Sequence, residues 1–289
     1  MSKVWSRMRR SMRTVMRRRA LERGLRRAIG LGELYLVWQP IVDGMNNTVV
    51  GAEALLRWNS HELGPVSPVE FIPVAEDSGL IIPIGNWVIR QACRQVAEWR
   101  RTLAPKLFVS VNVSPVQVRR ELVGVVETSL HHEGIEASAL ELELTERLLL
   151  RDSGDEGDVL RRLAAAGIMI AMDDYGTGYA SLSYLRQFPL HNLKVDRSFV
   201  ADLPESQSSS QILHAVVSMA HAMGMITTVE GVETQNQSKF LRTLGCDRQQ
   251  GFFHGRPVSD HEYAQMFVRA AGPRPCEPAQ GRVAVSTPQ

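Results

Sequence analysis

Ile168-Met169-Ile170-Ala171-Met172-Asp173-Asp174 is an apolar run that ends in two adjacent carboxylates. Seven more short apolar runs lie between residues 34 and 251, and segments with helical periodicity separate most of them. Strands that alternate with helices along a chain are typical of a parallel sheet with helical crossovers. The sequence therefore predicts an α/β fold.

The pattern predicts eight strands and seven helices after residue 33. The predicted strands are 34–42, 48–57, 107–113, 140–144, 168–172, 192–195, 225–229 and 247–251. The predicted helices are 69–77, 86–103, 119–132, 155–166, 179–186, 207–223 and 235–244. This number of strands in about 240 residues favours a closed (β/α)8 barrel over an open doubly wound sheet.

The connection between the first two strands modifies this barrel. Asp43-Gly44-Met45-Asn46-Asn47 has the composition of a hairpin turn, so one strand should run against the others. The phosphate-loop patterns of dinucleotide and mononucleotide folds are absent from the sequence. We therefore predict a TIM-like (β/α)8 barrel with one antiparallel strand, preceded by a basic N-terminal helix.

Charge and cysteine usage narrow the class of protein. Residues 1–30 contain eleven Lys/Arg and one Glu, and since the whole chain carries +2, residues 31–289 sum to −8. Cys93, Cys246 and Cys276 form no C-x-x-C pair, which argues against a disulfide framework and a thiolate zinc site. The leader lacks the apolar region of a signal peptide, and no run approaches the ~18 apolar residues of a membrane span. A cytoplasmic location is expected.

The basic leader itself predicts an amphipathic helix. Between residues 4 and 29, apolar residues recur at intervals of mostly three and four, with arginines between them. These residues are Val4, Met8, Met12, Val15, Met16, Leu21, Leu25 and Ile29. A solvated linker helix is the favoured interpretation. Membrane-surface contact and nucleic-acid binding are the alternatives.

Polar residues occupy the same relative place in successive predicted strands. They are Glu53, Asn112, Glu143, Asp173, Asp174, Lys194, Glu230 and Gln250. Any one of them has a simple structural explanation, because a strand-end acid often caps the next helix or enters solvent. Eight of them at equivalent places are harder to explain in this way. The ends of barrel strands converge on one mouth, where active sites form.

The types of these residues predict a chemistry. Oxygen ligands without histidine or cysteine indicate a hard cation such as Mg²⁺ or Mn²⁺. Two adjacent carboxylates, Asp173 and Asp174, repel each other unless cations neutralise them, which favours two ions over one. Two such ions suit in-line displacement at phosphorus, and Lys194 and Arg57 supply positive charge for a phosphate. We predict metal-assisted phosphoester hydrolysis; a sugar-processing barrel is the alternative, although it would leave most of the acids without a role.

Glu53-Ala54-Leu55-Leu56-Arg57-Trp58 resembles the signature of the EAL domain, a family of bacterial phosphodiesterases of the second messenger cyclic di-GMP. Further blocks follow in the order of that family over about residues 33–268. They include Trp38-Gln39-Pro40-Ile41, Val111-Asn112-Val113-Ser114, Glu143-Leu144-Thr145-Glu146, Asp173-Asp174-Tyr175-Gly176-Thr177-Gly178-Tyr179, Leu193-Lys194-Val195-Asp196, Glu230-Gly231-Val232-Glu233-Thr234 and Gln250-Gly251. We accordingly expect a leader or linker helix over 1–30, an EAL domain over 31–270 and a disordered tail over 271–289.

The resemblance implies hydrolysis of cyclic di-GMP to linear pGpG with two Mg²⁺ or Mn²⁺ ions. It assigns metal binding to Glu53, Asn112, Glu143, Asp173, Asp174 and Glu230. It assigns catalysis to Lys194, which would hold the attacking water or stabilise developing charge, and to Glu230 as a general base, a role that competes with metal binding. Contacts with the dinucleotide or its site are implied for Gln39, Arg57, Asp196 and Gln250.

The resemblance also implies regulation. Residues 174–182 resemble the regulatory loop of the family, in which Gly176 and Gly178 permit unusual backbone angles and Glu146 anchors the loop. A homodimer through this region is expected, and the N-terminal helix is the candidate contact for a sensory or membrane-surface partner.

Two alternatives to an active enzyme remain. Some EAL domains have lost catalysis and act as cyclic di-GMP receptors or protein-interaction modules, usually after the loss of a ligand residue. All ligand residues are present here, although Val229 adds bulk beside Glu230. The weaker alternative is a scaffold that docks through its N-terminal helix.

Overall fold

The computed structural model describes residues 2–146, 154–176 and 185–271, in which strands and helices alternate. The strands are β1 (Leu34–Asp43), β2 (Val49–Ser60), β3 (Gly64–Val66), β4 (Phe108–Val113), β5 (Leu140–Thr145), β6 (Met169–Tyr175), β7 (Asn192–Val195), β8 (Ile226–Val229) and β9 (Arg248–Gln250). The helices are α1 (Ser2–Ala28), α2 (Pro68–Asp77), α3 (Ile81–Thr102), α4 (Arg120–Glu133), α5 (Gly154–Ala165), α6 (Gln207–Ala222), α7 (Gln235–Thr243) and α8 (Asp260–Ala271).

Eight of the strands close into a barrel. Around the ring the order is β1-β9-β8-β7-β6-β5-β4-β2, and β2 pairs back with β1. β1 is antiparallel to both of its neighbours, and every other pair in the ring is parallel. β3 lies outside the ring and pairs with β2 alone. The predicted TIM-like barrel with one antiparallel strand is confirmed.

The hairpin that reverses β1 is fixed by its turn residues. The Asp43 carboxylate accepts hydrogen bonds from the backbone N–H groups of Met45 (2.9 Å) and Asn46 (3.0 Å). Gly44 lies against the backbone carbonyl of Cys246, and a Cβ atom at this position would collide with that carbonyl. The turn between β1 and β2 is therefore tied to the chain that enters β9, which closes the ring.

Most predicted elements match the structure to within a few residues, and the differences have local causes. α3 begins at Ile81 and not at the predicted residue 86, because Pro83 falls in the first helical turn, where its missing N–H is not needed. The short outer strand β3 and the terminal helix α8 were not predicted. The predicted helix 179–186 lies mostly outside the described residues, as does the predicted tail beyond residue 271.

The predicted basic helix is α1, and its C-terminal half packs on the barrel. Leu21, Leu25 and Ala28 are buried in the core. Gly24 lies over Trp58, whose ring would be 2.8 Å from a Cβ atom at this position. Arg17 forms a bidentate ion pair with Glu70 of α2 (2.6 and 2.9 Å), and Arg18 contacts Asp77 at the other end of α2 (2.7 Å). Of the described helices, none is both long and apolar enough to cross a membrane.

Glu33 joins α1 to the barrel and provides a test of this junction. Its buried carboxylate accepts hydrogen bonds from Trp58 Nε1 (2.9 Å) and the His61 backbone N–H (2.9 Å). We expect Glu33→Ala to lower the free energy of unfolding at pH 7 by about 2–4 kcal/mol, because the buried indole N–H loses its acceptor. Urea unfolding measures this, with Glu62→Ala as the matched control, since Glu62 pairs with Arg27 only at the surface (2.6 Å) and its removal should cost under about 1 kcal/mol.

The same carboxylate predicts a dependence on pH. Burial works against ionisation, but the hydrogen bonds from Trp58 and His61 outweigh it and lower the pKa of Glu33 below its usual value. A lowered folded-state pKa stabilises the fold above the unfolded-state value, and this contribution is lost as the pH falls through the folded-state pKa. The difference in stability between wild type and Glu33→Ala should therefore shrink between pH 5 and pH 3. An equal difference at both values would contradict this assignment.

Candidate metal centre at the barrel mouth

A single buried lysine occupies the centre of the barrel mouth. Lys194, which is 1% exposed, places Nζ 2.6 Å from Glu230 Oε1, 2.8 Å from Glu143 Oε2 and 3.2 Å from Asp173 Oδ1. Glu53 Oε2 lies 4.0 Å away. Burial disfavours the charged ammonium, but the surrounding carboxylates outweigh this effect and raise the pKa of Lys194 well above its usual value.

The register of the parallel strands places these groups at the C-terminal ends of neighbouring strands. Asn112 at the end of β4 pairs with Glu143 of β5, and Thr145 of β5 pairs with Asp173 of β6. Glu230 follows the end of β8, and its backbone N–H donates to the carbonyl of Val195 (3.0 Å). The predicted convergence of strand-end residues on one mouth is therefore what the structure shows.

Glu53 is held by amides on both of its oxygens. Asn112 Nδ2 donates to Oε1 (2.7 Å), and Gln250 Nε2 donates to Oε2 (2.6 Å). Gln250 Nε2 also contacts Gln39 Oε1 (3.3 Å). Gln39 reaches this network because the antiparallel β1 aligns it with Glu53 and aligns Ile41 with Gln250. The two antiparallel pairings of β1 thus complete the site.

Two consecutive aspartates face the same site, which a regular strand does not allow. Successive side chains of a strand point to opposite faces. The pairing of β6 with β7 shifts between Met172 and Tyr175, and Asp174 has a left-handed φ of 56°. Carboxylate oxygens of Asp173, Asp174 and Glu230 consequently lie within 4.8 Å of one another. A left-handed aspartate costs roughly 1–2 kcal/mol, which is consistent with a functional constraint on this backbone.

The carboxylates of the mouth carry more negative charge than Lys194 can balance. Burial, together with neighbouring carboxylates, raises the pKa of Glu143 well above its usual value although Lys194 opposes the shift. Burial also raises the pKa of Glu230, to about 7. Burial and the charges of Asp173 and Asp196 raise the pKa of Asp174. In each case burial disfavours the ionised form first, and the neighbouring carboxylates add to this effect.

This donor set fits a hard divalent cation. All of its donors are oxygens, from carboxylates and from the amide of Asn112, and Mg²⁺ and Mn²⁺ prefer oxygen. Glu143 Oε1 is buried without a hydrogen-bond partner among the described residues. A cation at the mouth would satisfy such an oxygen and offset both the burial and the mutual repulsion of the carboxylates, which raise their pKa values.

A cavity of about 990 Å³ opens beside the carboxylates. It is lined by Arg57, Asn112, Glu146 and Asp174, and its apolar wall includes Ile72 of α2. The cavity combines one guanidinium with the edge of the carboxylate cluster and an apolar wall, an arrangement suited to a phosphorylated ligand with flat apolar parts.

The remaining predicted residues occupy different places. Asp196 caps the turn at Arg197–Phe199 by accepting a hydrogen bond from the Ser198 backbone N–H (3.0 Å). Glu146 is buried beside the cavity. Gly176 has a left-handed φ of 101°, and a Cβ atom at this position would collide with the ring of Phe199. Gly178 and the other residues of the predicted regulatory loop from 177 to 182 lie outside the described residues.

A buried polar layer directly below the site was not predicted. Glu141 Oε2 accepts from Arg248 Nη1 (2.9 Å), and Glu141 Oε1 accepts from Asn192 Nδ2 (3.0 Å). These residues precede Glu143, Lys194 and Gln250 by two positions, so they share the inward face of their strands. The sequence signal that could have identified this layer is a polar residue two places before each site residue in β5, β7 and β9.

Comparisons with known proteins identify the family. The EAL domain model matches residues 22–257. The uncharacterized protein y4lL of Sinorhizobium fredii is 44% identical over 242 residues, which cover 83% of this chain and 29% of that protein. The cyclic di-GMP phosphodiesterase PA2567 of Pseudomonas aeruginosa is 38% identical over 247 residues, covering 85% of this chain and 42% of that protein. The chain therefore spans less than half the length of these two relatives.

A solved structure shows the same relationship. The PaMucR phosphodiesterase, in complex with cyclic di-GMP, superimposes with a TM-score of 0.79 at 38% identity, covering 84% of this chain and 99% of that one. The matched region contains the whole barrel and every site residue described above. The chain thus belongs to the EAL domain family.

Proposed function

We propose that this domain hydrolyses one phosphodiester bond of cyclic di-GMP to give linear pGpG. The observation that carries the proposal is the complete set of carboxylates and amides around Lys194, next to a cavity with a guanidinium on its wall. PA2567 is named a cyclic di-GMP phosphodiesterase, and the PaMucR structure contains cyclic di-GMP. These names support the choice of substrate.

Two sets of side chains would hold two Mg²⁺ or Mn²⁺ ions. The first set is Glu53, Asn112, Glu143 and Asp173, and the second is Asp173, Asp174 and Glu230. When bound, such ions polarise the phosphoryl oxygens and lower the pKa of water. Asp173 would belong to both sets. It contacts the same Lys194 ammonium as Glu143 of the first set, and it offers a carboxylate oxygen within 4.8 Å of those of Asp174 and Glu230 in the second.

The other groups of the site would bind the substrate and move the proton. Arg57 would pair with a phosphate of the dinucleotide. Gln39 would contact the dinucleotide from the edge of the network, and Gln250 would keep Glu53 in place. Glu230 would accept a proton from the attacking water, a role that competes with metal binding, while the Lys194 ammonium, whose Nζ lies 2.6 Å from Glu230 Oε1, would stabilise the charge that develops.

Three other expectations stay predictions. A homodimer through the region around Glu146 and Gly176 would be detected by sedimentation at micromolar concentration. A cytoplasmic location and a sensory partner depend on the cell and can be tested there.

The proposed reaction is tested by incubating the purified chain with cyclic di-GMP and Mg²⁺, Mn²⁺ or EDTA, and separating the products. We expect pGpG with either cation and none with EDTA. Calorimetry on the same preparation measures binding. Tight binding without product under both cations, in a folded protein, would instead make the domain a receptor.

A further inference from the structure

Helix α1 carries two apolar faces that point in different directions. In its C-terminal half, Leu21, Leu25 and Ala28 are 0–2% exposed against the barrel. Nearer the N-terminus, Val15 and Met16 are 48% and 63% exposed. At 3.6 residues per turn, Val15 lies about 115° and Met16 about 145° around the helix from the centre of the buried face. Val15 and Met16 are therefore not part of the barrel core.

Residues 2–16 have the pattern of an interfacial helix. By the helical repeat, six positions fall within an arc of about 120°, and we call them the apolar stripe. They are Val4, Trp5, Met8, Met12, Val15 and Met16. The five basic residues of this segment fall outside that arc, and the segment contains no acid. These residues are Lys3, Arg7, Arg9, Arg10 and Arg13.

The attachment of α1 leaves Val15 and Met16, the C-terminal end of the stripe, exposed. The ion pairs Arg17–Glu70 and Arg18–Asp77 fix the rotation of the helix against α2 just after the stripe ends. Among the described elements, α2 and β2 are the main contacts of α1. The EAL family model begins at residue 22, so the stripe also lies outside the part of the chain that this model matches.

Charge selects the occupant of the stripe. A second copy packed on the stripe would bring +5 against +5 without any acid to form pairs, which opposes association. A nucleic acid would satisfy the arginines but leave Trp5 and the methionines uncovered. An anionic lipid surface satisfies both, because its headgroups meet the basic residues and its acyl boundary takes up the apolar ones.

We propose that residues 2–16 of α1 lie in the surface of an anionic lipid bilayer and hold the EAL domain against it. The helix lies in the plane of the interface and does not span the bilayer. The proposal is independent of catalysis, since vesicle binding can be measured whether or not cyclic di-GMP is hydrolysed.

The test uses the whole chain and vesicles of phosphatidylcholine with or without one quarter of phosphatidylglycerol. We expect cosedimentation with the anionic vesicles only, and weaker binding in high salt. Met8→Gln/Met12→Gln should lower the affinity at least roughly tenfold, because two apolar side chains leave the interface. Arg9→Gln/Arg10→Gln/Arg13→Gln should lower it on the order of 100-fold. The matched control is Ser2→Gln/Ser6→Gln, two changes outside the stripe that should leave binding intact.

Quenching by brominated lipid locates the helix. Part of the tryptophan fluorescence of the wild type should be quenched, and Trp5→Phe should remove that part. The proposal fails if anionic vesicles do not bind, or if the methionine variant binds them as well as the wild type. It also fails if a DNA duplex binds more tightly than the vesicles. Self-association that disappears in the methionine variant would mean that a second copy covers the stripe.

Discussion

Glu53→Gln should lower kcat for cyclic di-GMP hydrolysis by more than roughly 100-fold while the barrel stays folded. Loss of a residue that merely supports a metal ligand typically costs 10–100-fold in metal affinity or activity, and Glu53 is assigned to the ligand set itself. The substitution keeps the shape of the side chain and removes one negative charge from the mouth. Product formation with Mg²⁺ and with Mn²⁺ measures the effect, and Mn²⁺ affinity should fall in parallel.

The hydrogen bonds around Glu53 explain why this variant should fold. Asn112 still finds an acceptor in the glutamine oxygen. The new amide nitrogen at position 53 would face the Gln250 Nε2 group, which is also a donor. Gln250 Oε1 is buried without a partner among the described residues, so a rotation of the Gln250 amide would present this oxygen as an acceptor. The rotation would lose the contact between Gln250 Nε2 and Gln39 Oε1. We therefore expect unfolding temperatures in EDTA to be close to or above the wild-type value, since repulsion among the carboxylates decreases.

The control for this experiment is Glu62→Gln, which removes the same charge from an exposed surface pair with Arg27. It should retain wild-type turnover. If Glu53→Gln keeps full turnover, Glu53 is not a metal ligand, and the assignment of the first ligand set is wrong. If it binds Mn²⁺ normally but does not turn over, Glu53 acts on the substrate and not on the metal.

The ring and most of its site residues were predictable because their signals are local. The apolar run before Asp173 and the turn at 43–47 each specify an element within a few residues of chain. Strand ends of a parallel barrel converge by geometry, so placing Asn112, Glu143 and Glu230 on one mouth required only the assignment of strands. The resemblance then supplied their separate roles.

Other features depend on contacts between distant residues and have no local signal. The central place of Lys194 follows from four strands that each bring a carboxylate toward it. The left-handed Asp174 follows from a register shift between β6 and β7 that periodicity does not reveal. The two apolar faces of α1 are distinguished only by their exposure in the structure, where Leu21 is buried and Met16 is exposed. Single-sequence patterns give the elements, whereas packing decides which side of each element meets a partner.

Lys194→Met should destabilise the metal-free protein by about 3–5 kcal/mol, because the buried carboxylates then lose their countercharge. Glu143, Asp173 and Glu230 all lie within 3.2 Å of the ammonium that is removed. Urea unfolding in EDTA measures the loss. The control is Lys106→Met, an exposed lysine whose replacement should change stability by no more than about 0.5 kcal/mol.

The loss should depend on pH in a defined direction. The folded-state pKa of Glu230 is about 7, above its usual value, and removal of Lys194 raises it further. When the folded-state pKa of a group is higher than its unfolded-state pKa, the folded protein binds more protons than the unfolded chain at pH values between the two. Stability therefore rises as the pH falls through this range. The variant should therefore recover part of its stability between pH 8 and pH 5. A loss that is the same throughout this range would mean that a packing defect, and not charge, destabilises it.

Divalent cations separate the structural role of Lys194 from its catalytic one. The Lys194 ammonium and a divalent cation both neutralise the charge of the same carboxylates. Without the ammonium the mouth is more negative and should bind Mn²⁺ more tightly. Because a ligand that binds only the folded state stabilises it by RT ln(1 + [L]/Kd), Mn²⁺ should raise the unfolding temperature of Lys194→Met more than that of the wild type. Turnover should nevertheless stay low in saturating Mn²⁺, since the group that stabilises the developing charge is absent. Stronger cation binding with lost turnover would assign Lys194 to the reaction, whereas turnover restored by Mn²⁺ would reduce it to a countercharge that the metal can replace.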